Sequence, residues 1–227
     1  MGKIGVIGAM QVEIDLILDK MDVQKEYSYA GFSFYSGVLY GKEIVLARCG
    51  VGKVNAASCT QIMIDRFDLN YMINTGIAGS LRKDIHVCDI VISTDVTHHD
   101  VRQAQMKNLF PFQERFIASK ELIELAIKAC ESVRLHSNYH CGRVISGECF
   151  VEDRHQKELL INTFKPACVE MEGASIAHVS FINKIPFLII RCISDHADDD
   201  ATNSYENFEK TAGKQSSSIV IEMVKRF

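Results

Sequence analysis

The chain has 227 residues, a formal charge of −4 and eight cysteines without one Cys-x-x-Cys pair. That length fits one α/β domain spanning residues 1–227 and burying roughly 70–75% of its unfolded surface. The acidic balance and scattered Lys and Arg exclude a nucleic-acid or anionic-membrane surface. Most cysteines lie inside apolar or helical stretches, which points to reduced, buried thiols in a cytoplasmic protein rather than a disulfide framework. No signal peptide is expected, because Gln11, Glu13 and Asp15 interrupt the short apolar start. Val6 stands where myristoylation would need Ser or Thr, and no run reaches about 18 apolar residues, so no membrane span is expected.

In chain order, Lys3 to Ile7 reads as a strand ending in Gly8-Ala9-Met10, with a helix over Glu13 to Met21. Residues 28 to 49 alternate around Gly31, Gly37 and Gly41, predicting strands at Phe32–Leu39 and Glu43–Arg48. Cys49-Gly50-Val51-Gly52 is a tight turn into a helix over Val54 to Phe67. A strand over Tyr71 to Asn74 ends at Thr75-Gly76-Ile77-Ala78-Gly79-Ser80, and a further strand, Asp89 to Ser93, leads into a polar, His-bearing loop. Ser119 is placed to cap an amphipathic helix reaching Val133. Arg143 to Ser146 reads as a strand, Glu152 to Phe164 as a polar helix, and Ala174 to Phe181 as a helix with an apolar stripe. Ile185 to Ile193 is a continuous apolar run, the pattern of a strand buried on both faces, with Asp195 just past its end. A loop and a closing helix over Tyr205 to Val224 complete the chain. Strands alternating with helices predict an α/β fold with a mixed, mostly parallel central sheet flanked by helices.

Three acids stand apart from the rest. Glu13, Glu172 and Asp195 each lie just beyond a buried strand, on three separate βα connections, where α/β proteins bind ligands. A lone acid there is most simply a helix cap. Three, with glycine-rich turns at Gly76–Gly79 and Ser146-Gly147 that let backbone amides approach a ligand, converge if the sheet gathers them into one crevice. Cleaving an N-glycosidic bond suits such a set. One acid gives a proton to the departing base, one carboxylate activates water on the opposite ribose face, and one holds the ribose hydroxyls, with environment deciding which carboxyl stays protonated. Asp195, after an apolar strand, is the candidate donor, its burial raising a pKa that starts near ~3.9.

Other motifs take plainer readings. Gly50-x-Gly52-x-x-Asn55 follows a strand and opens a helix, but Asn55 occupies the third small position and no acid closes the next strand to hold a ribose, so it reads as a close turn rather than a nicotinamide site. His98-His99-Asp100 lacks a partner cluster at ligand spacing and reads as loop, not metal site. Cys192 reads as core.

In order from residue 3 to 217, several segments resemble the 5′-methylthioadenosine/S-adenosylhomocysteine nucleosidase family of the purine nucleoside phosphorylase superfamily. They are Lys3-Ile4-Gly5-Val6-Ile7-Gly8-Ala9-Met10 with Glu13, Ile73-Asn74-Thr75-Gly76-x-Ala78-Gly79, Ser146-Gly147 with Phe150, Val169-Glu170-Met171-Glu172, Arg191-x-Ile193-Ser194-Asp195 and Ala212-x-Lys214-Gln215-Ser216-Ser217. The resemblance implies that Glu13 polarises the attacking water, with Arg191 helping to place it, and that Asp195, oriented by Ser194, protonates purine N7. It implies Met171 and Glu172 at the ribose, with Glu170 also among the substrate-binding residues. Phe150 would stack on adenine while the main chain of Val151 reads its edge. Ile77, Ala78 and Gly79 would line the pocket, and Tyr205, usually Phe in the family, would close over it with Phe208. It further implies a homodimer that uses neither metal nor organic cofactor, and a small-molecule nucleoside as substrate.

Two departures bear on substrate choice. Ile77 replaces the family's usual Ser near the water site, and residues 98–114 keep His99-Asp100 but not the usual continuation. In the family that loop reaches the partner's pocket around the 5′ substituent. A nucleosidase for another 5′-modified adenosine, or for adenosine itself, therefore stays open. A phosphate-dependent phosphorylase would want an arginine in the first glycine loop, where Gly8 to Ile14 offers only Glu13. A non-catalytic nucleoside-binding module would not need a water-activating acid.

Overall fold

The buried apolar runs become strands of one sheet in the computed structural model, which describes residues 2–133, 137–197 and 201–227. β1 (Lys3–Gly8) leads through a 3-10 turn (Gln11–Glu13) into α1 (Asp15–Leu18). β2 (Asp22–Tyr29), β3 (Phe32–Leu39) and β4 (Lys42–Arg48) form an antiparallel meander, and α2 (Lys53–Phe67) returns the chain to β5 (Leu69–Ser80). β6 (Ile90–His98), α3 (Gln103–Asn108), β7 (Phe116–Ile117) and α4 (Lys120–Ser132) follow, then β8 (Tyr139–Ser146) and α5 (Arg154–Phe164). The chain ends with β9 (Cys168–Glu170), α6 (Gly173–Ile182), β10 (Phe187–Asp195) and α7 (Ala201–Val224).

The central strands run β4-β1-β5-β10, parallel throughout. Val6, Leu46, Ile73 and Ile190 on them are fully buried, as strands covered on both faces require. From β10 the sheet turns back on itself. β10 pairs antiparallel with β6, β6 parallel with β8, β8 parallel with β9, and β9 antiparallel with the end of β5. Five strands thus close into a ring, and β1, β4, β3 and β2 run off β5. Closure draws the ends of β5, β9 and β10 together, which is where the acids lie. α2 packs on α6, while α7 lies along β5 and β10 and meets α4 and α1.

The structure departs from the sequence reading where side chains override local pattern. The helix expected over Glu13 to Met21 shrinks to α1, because the Glu13 carboxylate turns back to accept the amides of Ala9 and Met10 and holds a tight turn instead. The strand expected to stop at Asn74 runs on to Ser80, paired first with β10 and then with β9. β6 likewise runs to His98 and takes up part of the expected loop. Asp195 is the last residue of β10, and the closing helix starts at Ala201 rather than Tyr205. β2 carries few apolar residues and is mostly exposed, and β9 is only three residues long, so neither has a periodic signature. Ser119 stands at the start of α4 without a side-chain cap, whereas Asp153 does cap α5, accepting the Gln156 amide at 2.7 Å. All eight cysteines are free, but Cys141 and Cys149 are exposed and Cys88 is partly so, because the first two lie on the outer part of β8 and on the segment after it.

Below the meander, Phe34 is fully buried against Tyr29 and Phe67, with ring centroids 6.0 and 5.5 Å away, and so ties β3 to α2. Deleting a buried aromatic ring typically costs about 3–5 kcal/mol through lost transfer energy and the cavity left behind. Phe34→Ala is expected to lose about that much in urea unfolding, and a loss below about 1 kcal/mol would contradict this placement.

Candidate active site

A cavity of about 360 Å³ opens where the ends of the central strands meet the start of α6 and the first turns of α7. Of the residues singled out from sequence, Glu13, Ile77, Ala78, Gly79, Phe150, Val151, Glu170, Met171, Glu172, Ser194, Asp195 and Tyr205 line it. Arg191 does not. Its side chain has no solvent exposure and sits behind the cavity in the body of the sheet.

A buried guanidinium demands compensating charge. Arg191 Nη2 donates to Asn74 Oδ1 and Glu170 Oε2, and stands 3.8 Å from Glu172 Oε2. Its Nε and Nη1 make no hydrogen bond among the described residues. Nη1 lies against Gly76, where an added Cβ would come within 1.8 Å of it and 2.7 Å of Glu13 Oε1. Only glycine leaves room for both groups to meet over that strand.

Each acid has its own surroundings. Glu13 is caged by amides: Ala9 and Met10 donate to Oε2 at 2.6 and 2.9 Å, and Ile77 to Oε1 at 3.1 Å. Burial raises its pKa above 4.5, against the opposing pull of Arg191 and these amides. Glu172 stands just before α6 but does not cap it; its Oε1 accepts the Gly52 amide at 2.9 Å. Burial, with Glu170 and Glu13 adding to it, pushes the Glu172 carboxyl up to about 8, while Arg191 and the Gly52 amide pull it down. Asp195 is buried, taking the Ser194 hydroxyl on Oδ2 at 2.8 Å and the Ala197 amide on Oδ1 at 2.7 Å.

Glu170 is held by the protein's own donors. Although it lines the cavity, its carboxylate accepts from Ser146 Oγ, from Arg191, and from the amides of Glu172 and Gly173 at 3.2 and 2.8 Å. Four internal donors make it the anchor of Arg191 and of the α6 N-terminus, where a carboxylate is favoured.

Across the mouth, Phe150 meets Tyr205 edge-on at 5.7 Å, and the Tyr205 hydroxyl donates to Met10 Sδ at 3.2 Å. Burial, aided by Glu209 and the cavity acids, pushes the Tyr205 hydroxyl up to about 12. Phe208 is exposed and does not line the cavity.

Sequence reasoning missed Ala9, Met10, Val51, Cys149, Val169, Thr202 and Glu206 on the cavity wall. Met10 and Val51 adjoin glycine turns already noted, a signal that was present. Thr202 and Glu206 sit on the first turns of α7, which carry no periodic mark. The Gly50–Gly52 turn, read as plain, supplies the amide that holds Glu172. Ser216 and Ser217 in α7 also gain a role: Ser216 Oγ meets Thr75 Oγ1 at 2.7 Å and takes the Gly76 amide, while Ser217 donates to the Glu13 carbonyl. Residues 98–114 contribute nothing to this cavity. In that segment His98 packs edge-on against Phe116 and His178, and Asp100 pairs with Lys53. Among the described residues no group of three or more His, Cys, Asp or Glu side chains could hold a metal ion, and no helix is long and apolar enough to cross a membrane.

Comparison with known proteins bears on this geometry. Residues 3–225 match the family model described as Phosphorylase superfamily. The chain is 40% identical over 231 residues to a 5′-methylthioadenosine/S-adenosylhomocysteine nucleosidase of Halalkalibacterium halodurans, covering 100% of this chain and 99% of the relative. It superposes with a TM-score of 0.94 and 37% identity on the Neisseria meningitidis nucleosidase of that description in complex with methylthio-immucillin-A, with 100% of both chains covered. It is also similar, at a TM-score of 0.92 and 32% identity over 100% of this chain and 98% of the other, to the futalosine hydrolase of Helicobacter pylori. The chain therefore belongs to the phosphorylase superfamily and, within it, to the 5′-methylthioadenosine/S-adenosylhomocysteine nucleosidase family.

Proposed function

We propose that the protein hydrolyses the N-glycosidic bond of 5′-methylthioadenosine and S-adenosylhomocysteine, releasing adenine and the corresponding 5-thioribose. The observation that carries this is the convergence of Glu13, Glu172 and Asp195 on one cavity, with Arg191 buried behind it. As the C1′–N9 bond lengthens, electrons pass to the purine and positive charge develops on the ribose. The Asp195 carboxyl, steadied by the Ser194 hydroxyl, gives its proton to N7. Glu13 draws a proton from the water whose oxygen bonds to C1′, and Arg191, behind the cavity with its Nη1 over the same glycine, helps to place that water through Glu13, whose ionised form it favours. Glu172, fixed by the Gly52 amide, accepts the ribose hydroxyls beside Met171, and Phe150 and Val151 form the base wall.

Hydrolysis is favoured over phosphorolysis by charge. Glu13 is the charged side chain that the first glycine loop turns into the cavity, and it would repel phosphate. The second reading, another 5′-modified adenosine as substrate, is supported by the divergent 98–114 segment and by likeness to a futalosine hydrolase. We further propose a cytoplasmic homodimer. Exposed Cys141 and Cys149 suit a reducing compartment, and the exposed Leu109, Phe110, Phe112 and Ile117 suit a covered face.

Adenine release in phosphate-free buffer from methylthioadenosine, S-adenosylhomocysteine, 5′-deoxyadenosine and adenosine tests the reading. Fast release from the two thio-substituted nucleosides is expected. Release from the other two alone would change the substrate, and a requirement for phosphate would overturn hydrolysis.

The charges this chemistry collects also make stability pH-dependent. Glu172 holds a proton in the folded state that the unfolded chain has lost, so its contribution is complete below the unfolded value of 4.5 and is lost as pH rises through the folded one, about 8. The urea midpoint of the unliganded protein is expected to fall between about pH 5.5 and about pH 8, and to fall less in Glu172→Gln. An equal fall in both proteins would contradict the assignment.

A further inference from the structure

Lys53, Asp100 and Glu148 lie outside the cavity lining, on three connections around its rim: the start of α2, the segment after β6 and the segment after β8. They close a ring of hydrogen bonds. The Lys53 amide donates to Glu148 Oε2 at 3.0 Å, the Glu148 amide to Asp100 Oδ2 at 3.0 Å, and Lys53 Nζ to Asp100 Oδ1 at 2.6 Å. A solvated surface ion pair contributes little, but this ring differs from one in two respects. The Lys53 and Asp100 side chains are only 19% and 28% exposed, and two of the three bonds use backbone N–H groups, so they fix main chain rather than side-chain tips. The Glu148 carboxylate also meets the first turn of α2, where unpaired amides favour negative charge.

Both ends of the ring reach the cavity within a residue or two. Gly52, just before Lys53, donates its amide to Glu172 Oε1. Cys149, Phe150 and Val151, just after Glu148, form part of the wall. Gly52 has φ +100°, and a Cβ there would stand 2.6 Å from Glu148 Oε1, so glycine lets the ring and Glu172 share that turn.

We propose that the Lys53–Asp100–Glu148 ring is a positioning device that holds Glu172 in register with the 149–151 wall, so that ribose-side and base-side contacts to a nucleoside form together. It rests on the nucleoside reading above. None of the three residues touches the reacting atoms; they act through Gly52 and the 149–151 backbone.

The test is steady-state adenine release from methylthioadenosine, with thermal midpoints measured alongside. Asp100→Ala and Glu148→Ala are each expected to raise KM about tenfold while kcat stays within about threefold, the pattern of a contact made equally in ground and transition states. The double variant is expected to be no worse than the poorer single one, because both open the same ring. Glu148→Gln keeps an acceptor for the Lys53 amide and is expected to restore KM to within about threefold of wild type. Unchanged KM in both alanine variants, losses that multiply in the double variant, or no rescue by glutamine would overturn the proposal. Wild-type protein inert toward methylthioadenosine, S-adenosylhomocysteine, 5′-deoxyadenosine and adenosine alike would overturn the nucleoside reading and the ring's role with it.

Discussion

Arg191 carries a guanidinium into the body of the sheet, where β10 runs parallel to β5 and antiparallel to β6, at a point with no solvent exposure. An uncompensated charge there would cost several kcal/mol after every relaxation the protein can make, so the surrounding chain has to answer it. Glu170 binds it directly, Asn74 supplies a carbonyl, and Glu172 stands at 3.8 Å. The neighbouring strand gives up its side chain at Gly76 to let the guanidinium in beside Glu13. The start of α6 is set by the same carboxylate that holds Arg191, since Glu170 also takes the Glu172 and Gly173 amides. Glu13, Glu170 and Glu172 are thus gathered around one buried cation.

The proposed reaction would draw on how unlike those acids have become. Glu13 sits in a cage of three amides that favours its ionised form, opposed by full burial. Glu172 has one amide and a distant guanidinium, and repulsion from Glu170 and Glu13 adds to its burial. Asp195 lies across the cavity with a hydroxyl and an amide on its two oxygens. Environments that separate carboxyls in this way allow one side chain chemistry to serve as base, anchor and acid. Glu170 shows the limit of that logic: it is as acidic in sequence as Glu172, two residues on, yet its oxygens are taken up by the protein's own donors.

What could be read from the sequence follows from how much of each element's reason for existing was local. β10 was legible because Ile185 to Ile193 is an unbroken apolar run, and α2 because its apolar positions recur at helical spacing. β9 was not, since Cys168–Glu170 is a strand only because β5 and β8 flank it. The extension of β5 through Gly76 and Gly79 contradicts local propensity. It exists because β10 and β9 pair with it and because Arg191 fills the space a side chain would occupy. The same holds within the site. Glu13, Glu172 and Asp195 were visible as acids at strand ends. That Arg191 would lie behind the cavity rather than in it, and that a plain glycine turn would hold Glu172, depended on contacts across more than a hundred residues.

Glu13 is proposed to act on water rather than on binding. The most direct measurement pairs single-turnover adenine release with nucleoside affinity in Glu13→Gln, which keeps the shape of the side chain while removing its charge. A missing general base typically costs roughly 100- to 10,000-fold. A loss of at least ~100-fold in turnover is expected, with affinity for methylthioadenosine within about threefold of wild type. Near-wild-type turnover, or a loss of turnover matched by an equal loss of affinity in a folded variant, would contradict it.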